Sequence, residues 1–98
     1  MTIRRRIGVL LAEPRTVSSL AHELRLTRPE VEDHVRHLIR SARATGRRVA
    51  VEPAKCRSCG YLFNEDKITK PGKCPDCRGT RLYEPLIRID PAEDRDDA

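Results

Sequence analysis

The chain has 98 residues, 38% hydrophobic and only 3% aromatic, and a formal net charge of +5. That is room for one domain or two very small ones around a thin core, for which a metal or a partner subunit is the usual supplement. No apolar run is long enough to span a bilayer, and the run Ile7 to Ala12 after Arg4-Arg5-Arg6 is too short for a secretory signal and meets Glu13-Pro14, so no membrane partner and a cytoplasmic location are expected.

Apolar residues Ile3, Ile7, Leu10 and Leu11 recur on one helical face behind Thr2, a fair N-cap, and Glu13-Pro14 is expected to end that segment. Thr16 caps a second segment with Val17, Leu20, Ala21 and Leu24 on one face, and Arg25-Leu26-Thr27 makes a short turn. Thr27-Arg28-Pro29-Glu30 then reads as a capping box with proline in the first turn. The third helix is expected to run to about Ala44, burying Val31, Val35, Leu38, Ile39 and Ala42, with Gly46 as the residue just past its end. Alternation around Val49 and Val51 predicts a strand over Arg48–Glu52, and Leu82 to Ile89 predicts a second, with Pro85 marking an edge or bulge. Lys70-Pro71-Gly72 fits a type II turn. Residues 91–98, acidic and without large apolar groups, are expected to form a disordered tail.

Between the two strand signals lie Cys56, Cys59, Cys74 and Cys77, spaced C-x2-C-x14-C-x2-C. Two such turns present four sulfurs to one ion, and a structural zinc prefers four thiolate or imidazole ligands in a tetrahedron. One zinc per chain is expected. Gly60 permits the turn after the first pair; Arg78 holds the corresponding place after the second, where glycine is common, with Gly79 following. A closed set of four protein ligands leaves no position for a catalytic water. No Ser–base pair or phosphate-binding glycine loop is visible either, so no enzyme is expected. Cys59-Gly60-Tyr61 and Cys74-Pro75-Asp76-Cys77 resemble the two knuckles of rubredoxin, a family that carries redox iron, but the gap between the pairs is shorter and the aromatic core is missing. His34 and His37 stand at metal-ligand spacing, yet with four cysteines present they read as surface residues, and His22 as structural.

Charge is uneven. Residues 1–50 hold 11 arginines against 5 acids, whereas residues 91–98 carry a net of −3. A basic leading half suggests a polyanionic partner. Helix, helix, three-residue turn, helix and two strands is also the order of a winged helix-turn-helix. In that reading the outward face of the third helix carries Arg36, His37 and Arg40, Thr27 and Arg28 stand at its leading end, and Arg47 and Arg48 enter the strand beyond it. Double-stranded DNA is the expected partner of these seven residues. Against this, Glu30, Glu32 and Asp33 put three acids on the leading turns.

The segment Arg47-Arg48-Val49-Ala50-Val51-Glu52-Pro53-Ala54-Lys55-Cys56-Arg57-Ser58-Cys59-Gly60, the segment Lys73-Cys74-Pro75-Asp76-Cys77 and the helices before them resemble a family of small, mostly archaeal transcriptional regulators. Those proteins fuse a winged helix-turn-helix to a rubredoxin-like zinc ribbon. The resemblance implies a small α+β fold in which the ribbon, residues 53–80, is inserted into the wing. Residues 1–52 and 81–90 would form the winged core, with the strands around Val49–Glu52 and Leu82–Ile89 paired as the wing's stem. It implies a DNA-binding transcriptional regulator. The alternatives are a module that docks on a protein of the transcription machinery and, behind it, a small redox iron protein. A monomer and a homodimer are both compatible with the sequence.

Overall fold

The computed structural model describes residues 2–91. Three helices come first: α1 (Ile3–Leu10), α2 (Val17–Leu24) and α3 (Arg28–Ala44). Each begins at a threonine whose hydroxyl accepts from a backbone N–H three residues on: Thr2 from Arg5, Thr16 from Ser19 and Thr27 from Glu30. An N-terminal N–H has no partner within its helix, so each of these bonds removes an unsatisfied donor. At α3 the box is complete, because the Glu30 carboxylate accepts in return from the Thr27 N–H at 2.9 Å. That bond, followed by the one from the Thr27 hydroxyl, holds the Glu30 carboxyl below its ordinary value.

The helix ends differ in chemistry. α1 stops before the proline exerts its effect: Ala12 and Glu13 already turn back to the carbonyls of Val9 and Leu10. α2 ends on Arg25 with φ +58, a left-handed conformation at a non-glycine residue. α3 ends through Thr45, and Gly46 takes the left-handed position at φ +77. The core stripe of α3 is Val31, Val35, Ile39 and Ala42; Leu38 is half-buried at its margin.

Four short strands follow: β1 (Val49–Glu52), β2 (Lys55–Cys56), β3 (Leu82–Tyr83) and β4 (Leu86–Ile89). β1 pairs antiparallel with β4, setting Val49 against Ile89 and Val51 against Ile87, while β2 pairs with β3. The expected continuous strand from Leu82 to Ile89 is therefore two strands in two sheets, broken at Glu84-Pro85. Pro85 has no N–H to give to a ladder and is buried. The Glu84 carboxylate leaves the strand direction to accept from the Ser18 N–H at 2.9 Å, at the start of α2. The type II turn at Lys70-Pro71-Gly72 is not formed: among the described glycines only Gly46 and Gly60 have positive φ, which that turn requires of Gly72.

One pairing carries no signature in the sequence. Arg15, in the link between α1 and α2, exchanges both backbone bonds with Ile87, at 3.0 and 2.8 Å. β4 is thereby flanked on both edges, and Ile87 and Ile89 are buried in the helical core with Ile7, Leu11, Leu20 and Val35. Ile68, from the segment between the cysteine pairs, joins that same core at 2% exposure. The tail expectation concerns residues that, beyond the exposed Pro91, lie outside those described.

Candidate metal centre

Each cysteine pair sits in a turn of the same construction. In the first, the Cys56 N–H bonds the Tyr61 carbonyl and the Gly60 N–H bonds the Cys56 carbonyl; in the second, the Cys74 N–H bonds the Gly79 carbonyl and the Arg78 N–H bonds the Cys74 carbonyl. Gly60 and Arg78 occupy equivalent places and share the left-handed conformation, at φ +81 and +63. Arg78 itself, not the glycine that follows it, takes that conformation. A Cβ at Gly79 would lie 3.3 Å from the Cys77 sulfur, so its small size serves the approach to the metal site.

The backbone of each turn is aimed at the sulfurs. Cys56 accepts from the N–H groups of Cys59 and Ser58, Cys59 from Tyr61, Cys74 from Asp76 at 3.4 Å, and Cys77 from Gly79. Every sulfur thus receives an N–H from the residue two positions on, a bond that favours the thiolate.

All four sulfurs lie within 4.8 Å of one another, with Cys56 to Cys77 and Cys59 to Cys74 at 3.6 Å. A tetrahedron of thiolates about 2.3 Å from a zinc ion has edges of about 3.8 Å, so the set fits one ion. The separations are far beyond a disulfide bond, and all four cysteines are free. Protonation tells the same story. The N–H of Cys59 brings the Cys56 thiol down to about 6, against burial and with help from Ser58. The Tyr61 N–H favours the Cys59 thiolate too, but burial and the neighbouring sulfurs of Cys74, Cys56 and Cys77 outweigh it and push that thiol up to about 12. Cys77 is raised as well, its bond from Gly79 being outweighed by Cys56 and burial. Four thiolates crowded together resist full ionisation, and a divalent cation removes that conflict. Zinc here supplies a cross-link between the two turns and the folding free energy of that cross-link.

The residues expected on DNA are distributed unevenly by the fold. Arg28, His37 and Arg40 are exposed along α3, and Arg48 is exposed where β1 begins. Among the described residues, no hydrogen bond or ion pair holds the guanidinium of Arg28 or Arg40, whereas the charge of Arg48 acts on the Asp90 carboxylate. Arg36 is engaged instead: it pairs with Glu32 at 3.0 Å and donates to the Asp66 carbonyl at 3.3 Å. The Thr27 hydroxyl is taken up by the capping box, and Arg47 is half-buried with its Nε on the Thr45 hydroxyl. Of the histidines, His34 accepts from Arg4 at 3.1 Å and so ties α1 to α3 rather than holding a metal.

Two family models account for most of the chain. One, described as PF0610-like, N-terminal, matches residues 2–50. The other, the PF0610 rubredoxin-like zinc beta-ribbon domain, matches residues 53–92 and so includes all four cysteines. The chain belongs to the PF0610-like family. Its fold is similar to the solution NMR structure of protein PF0610 from Pyrococcus furiosus, with a TM-score of 0.75 at 25% identity over 92% of this chain and 90% of that one. No curated protein matches the chain. In this PF0610-like chain the four cysteines form the zinc site of a zinc ribbon. Among the described residues no helix is long and apolar enough to cross a membrane.

Proposed function

We propose that the chain is a DNA-binding transcriptional regulator in which α2, the Arg25–Thr27 turn and α3 act as a helix-turn-helix, and the β1–β4 pair is the stem of a wing that carries the zinc ribbon. The observation that supports this most is the position of Arg15. Its bridge to Ile87 brings the link between α1 and α2 onto the sheet that follows α3, so the three helices and the proposed wing stem close on one another. Charge favours the same reading, with 11 arginines in the first 50 residues.

In this reading Arg28, His37 and Arg40 face the major groove and Arg48 meets the phosphate backbone. Contacts to phosphate position a protein, whereas contacts to base edges specify a sequence. Arg36 can join the base readers only by giving up its exposed pair with Glu32 and its bond to the Asp66 carbonyl, which together cost less than a bidentate base contact supplies. Zinc has no chemical step in this function; it holds the ribbon that completes the wing. The test is selection of bound duplexes from a random pool at near-physiological salt. Enrichment of one sequence supports the regulator. Recovery of unenriched sequences with steep salt dependence alone points to docking on a protein of the transcription machinery.

A further inference from the structure

The outward face of the β2–β3 pair is chemically unlike the rest of the ribbon. Lys55 stands opposite Tyr83, and the Arg57 N–H bonds the Arg81 carbonyl at 2.8 Å, so Arg57 stands opposite Arg81. Leu82 and Cys56, which alternate with these residues, are buried, whereas Lys55, Arg57, Arg81 and Tyr83 are exposed. The Arg57 guanidinium lies 5.1 Å from the centre of the Tyr83 ring, and Tyr83 remains 53% exposed. Beside Lys55, on the other side from Tyr83, the bridge to Leu62 adds a side chain that is 61% exposed.

Two arginines directly across a strand pair repel each other, and no carboxylate in the β2–β3 ladder offsets this. The nearby acids stand at other positions. Glu65 and Asp66 line the groove toward α3 beside Arg36 and Arg40, Glu84 caps α2, and Asp76 lies in the second cysteine turn. The face therefore concentrates three cations and one open ring, with no carboxylate among its positions. Duplex DNA has no use for the ring, because its bases are stacked within the helix. A single strand uses both parts: every unpaired base has a face to stack on an aromatic ring or a guanidinium plane, and its phosphates are drawn to the cations.

We infer that this face of the ribbon, formed by Lys55, Arg57, Arg81 and Tyr83, is a binding site for a single nucleic-acid strand, with an unpaired base stacked on Tyr83 and Arg57 and the flanking phosphates held by Lys55 and Arg81. The site is separate from α3 and does not depend on the duplex reading.

The experiment is fluorescence anisotropy of the zinc-loaded full chain with labelled oligo-dT, oligo-U and a duplex of equal length. Thiol protection in each variant verifies that the ribbon is folded. Tyr83→Ala is expected to weaken single-strand binding about 5- to 150-fold and leave duplex binding unchanged, with Tyr83→Phe retaining it. Arg81→Gln should lower the salt slope for the single strand by about 0.7. A preference for oligo-U over oligo-dT, or the reverse, identifies RNA or DNA as the strand; equal binding of both leaves stacking as the common basis and also supports the site. No saturable single-strand binding, equal binding by wild type and Tyr83→Ala, or an equal loss on single strand and duplex would each overturn the inference. Failure of duplex selection alone bears on α3 and leaves this result standing.

Discussion

Left-handed backbone at a non-glycine residue costs about 1–2 kcal/mol, and this chain places an arginine there twice, at Arg25 and Arg78. Arg78→Gly is expected to stabilise the zinc-loaded ribbon by about 1 kcal/mol, and Gly60→Ala at the equivalent place to destabilise it by a similar amount, both read by denaturant unfolding. The capping box gives a second residue-scale prediction. The folded-state pKa of Glu30 lies below its ordinary 4.5, chiefly through the Thr27 N–H. Its contribution is therefore complete above that value and is lost as pH falls through the lowered one. Glu30→Gln should flatten the pH dependence of stability below about 4.5 relative to wild type, measured by urea unfolding across pH 3 to 6 (roughly the span of the carboxylate titration). Equal slopes for the two proteins would show that the box does not set this dependence. At this scale the sequence was readable where one side chain answers its own neighbours: the Thr27–Glu30 box, Gly46 and the four cysteines all follow from local spacing. Gly72 was not, because its conformation is imposed by how the intervening segment folds and not by the residue's own preference, whereas spacing alone put Arg78 at the place where glycine is common.

Elements show why long-range contacts escape a sequence reading. The run from Leu82 to Ile89 alternates as one strand would, and its division depends on Glu84 finding the N-terminus of α2, 66 residues away. Ile68 sits in a polar, charged segment without periodicity, yet it is buried against the helices. Both contacts bind the ribbon to the helical half, so the two are expected to unfold together rather than separately. Ile68→Ala should cost about 2–5 kcal/mol and lower the melting temperature of the helical signal, although it lies outside every helix. Glu84→Ala removes a charged acceptor from the first turn of α2 and should cost about 1–2 kcal/mol, whereas Glu52→Ala, exposed on β1, should be nearly neutral. An unchanged helical melting temperature in Ile68→Ala would show that the ribbon does not support the helices.

The whole molecule is a small chain with a thin core, and its zinc site is expected to supply on the order of 10–16 kcal/mol of apparent folding free energy. One zinc per chain should be recovered by metal analysis, with all four thiols protected from alkylation until a chelator is added. Because protons compete with zinc for the thiolates, release should occur at progressively lower chelator as pH falls. Cys59→Ser or Cys74→Ser should abolish the ribbon and, through Ile68 and Glu84, weaken the helices as well. The general plan was legible in the order of patterns: three capped helices, a strand, two cysteine turns and a returning strand. What remained hidden was how the returning strand meets Arg15, which is the feature that supports the winged-helix reading. That reading is tested most directly by comparing Arg40→Ala with Arg48→Ala on a selected duplex and on random duplex across a salt series. Arg40→Ala is predicted to weaken binding to the selected site by about 1–3 kcal/mol more than to random DNA, as loss of a base contact does. Arg48→Ala is predicted to weaken both alike and lower the salt slope by about one unit. If Arg40→Ala, and likewise Arg28→Ala at the leading end of α3, weaken selected and random duplex equally, α3 reads no sequence and the regulator account is contradicted.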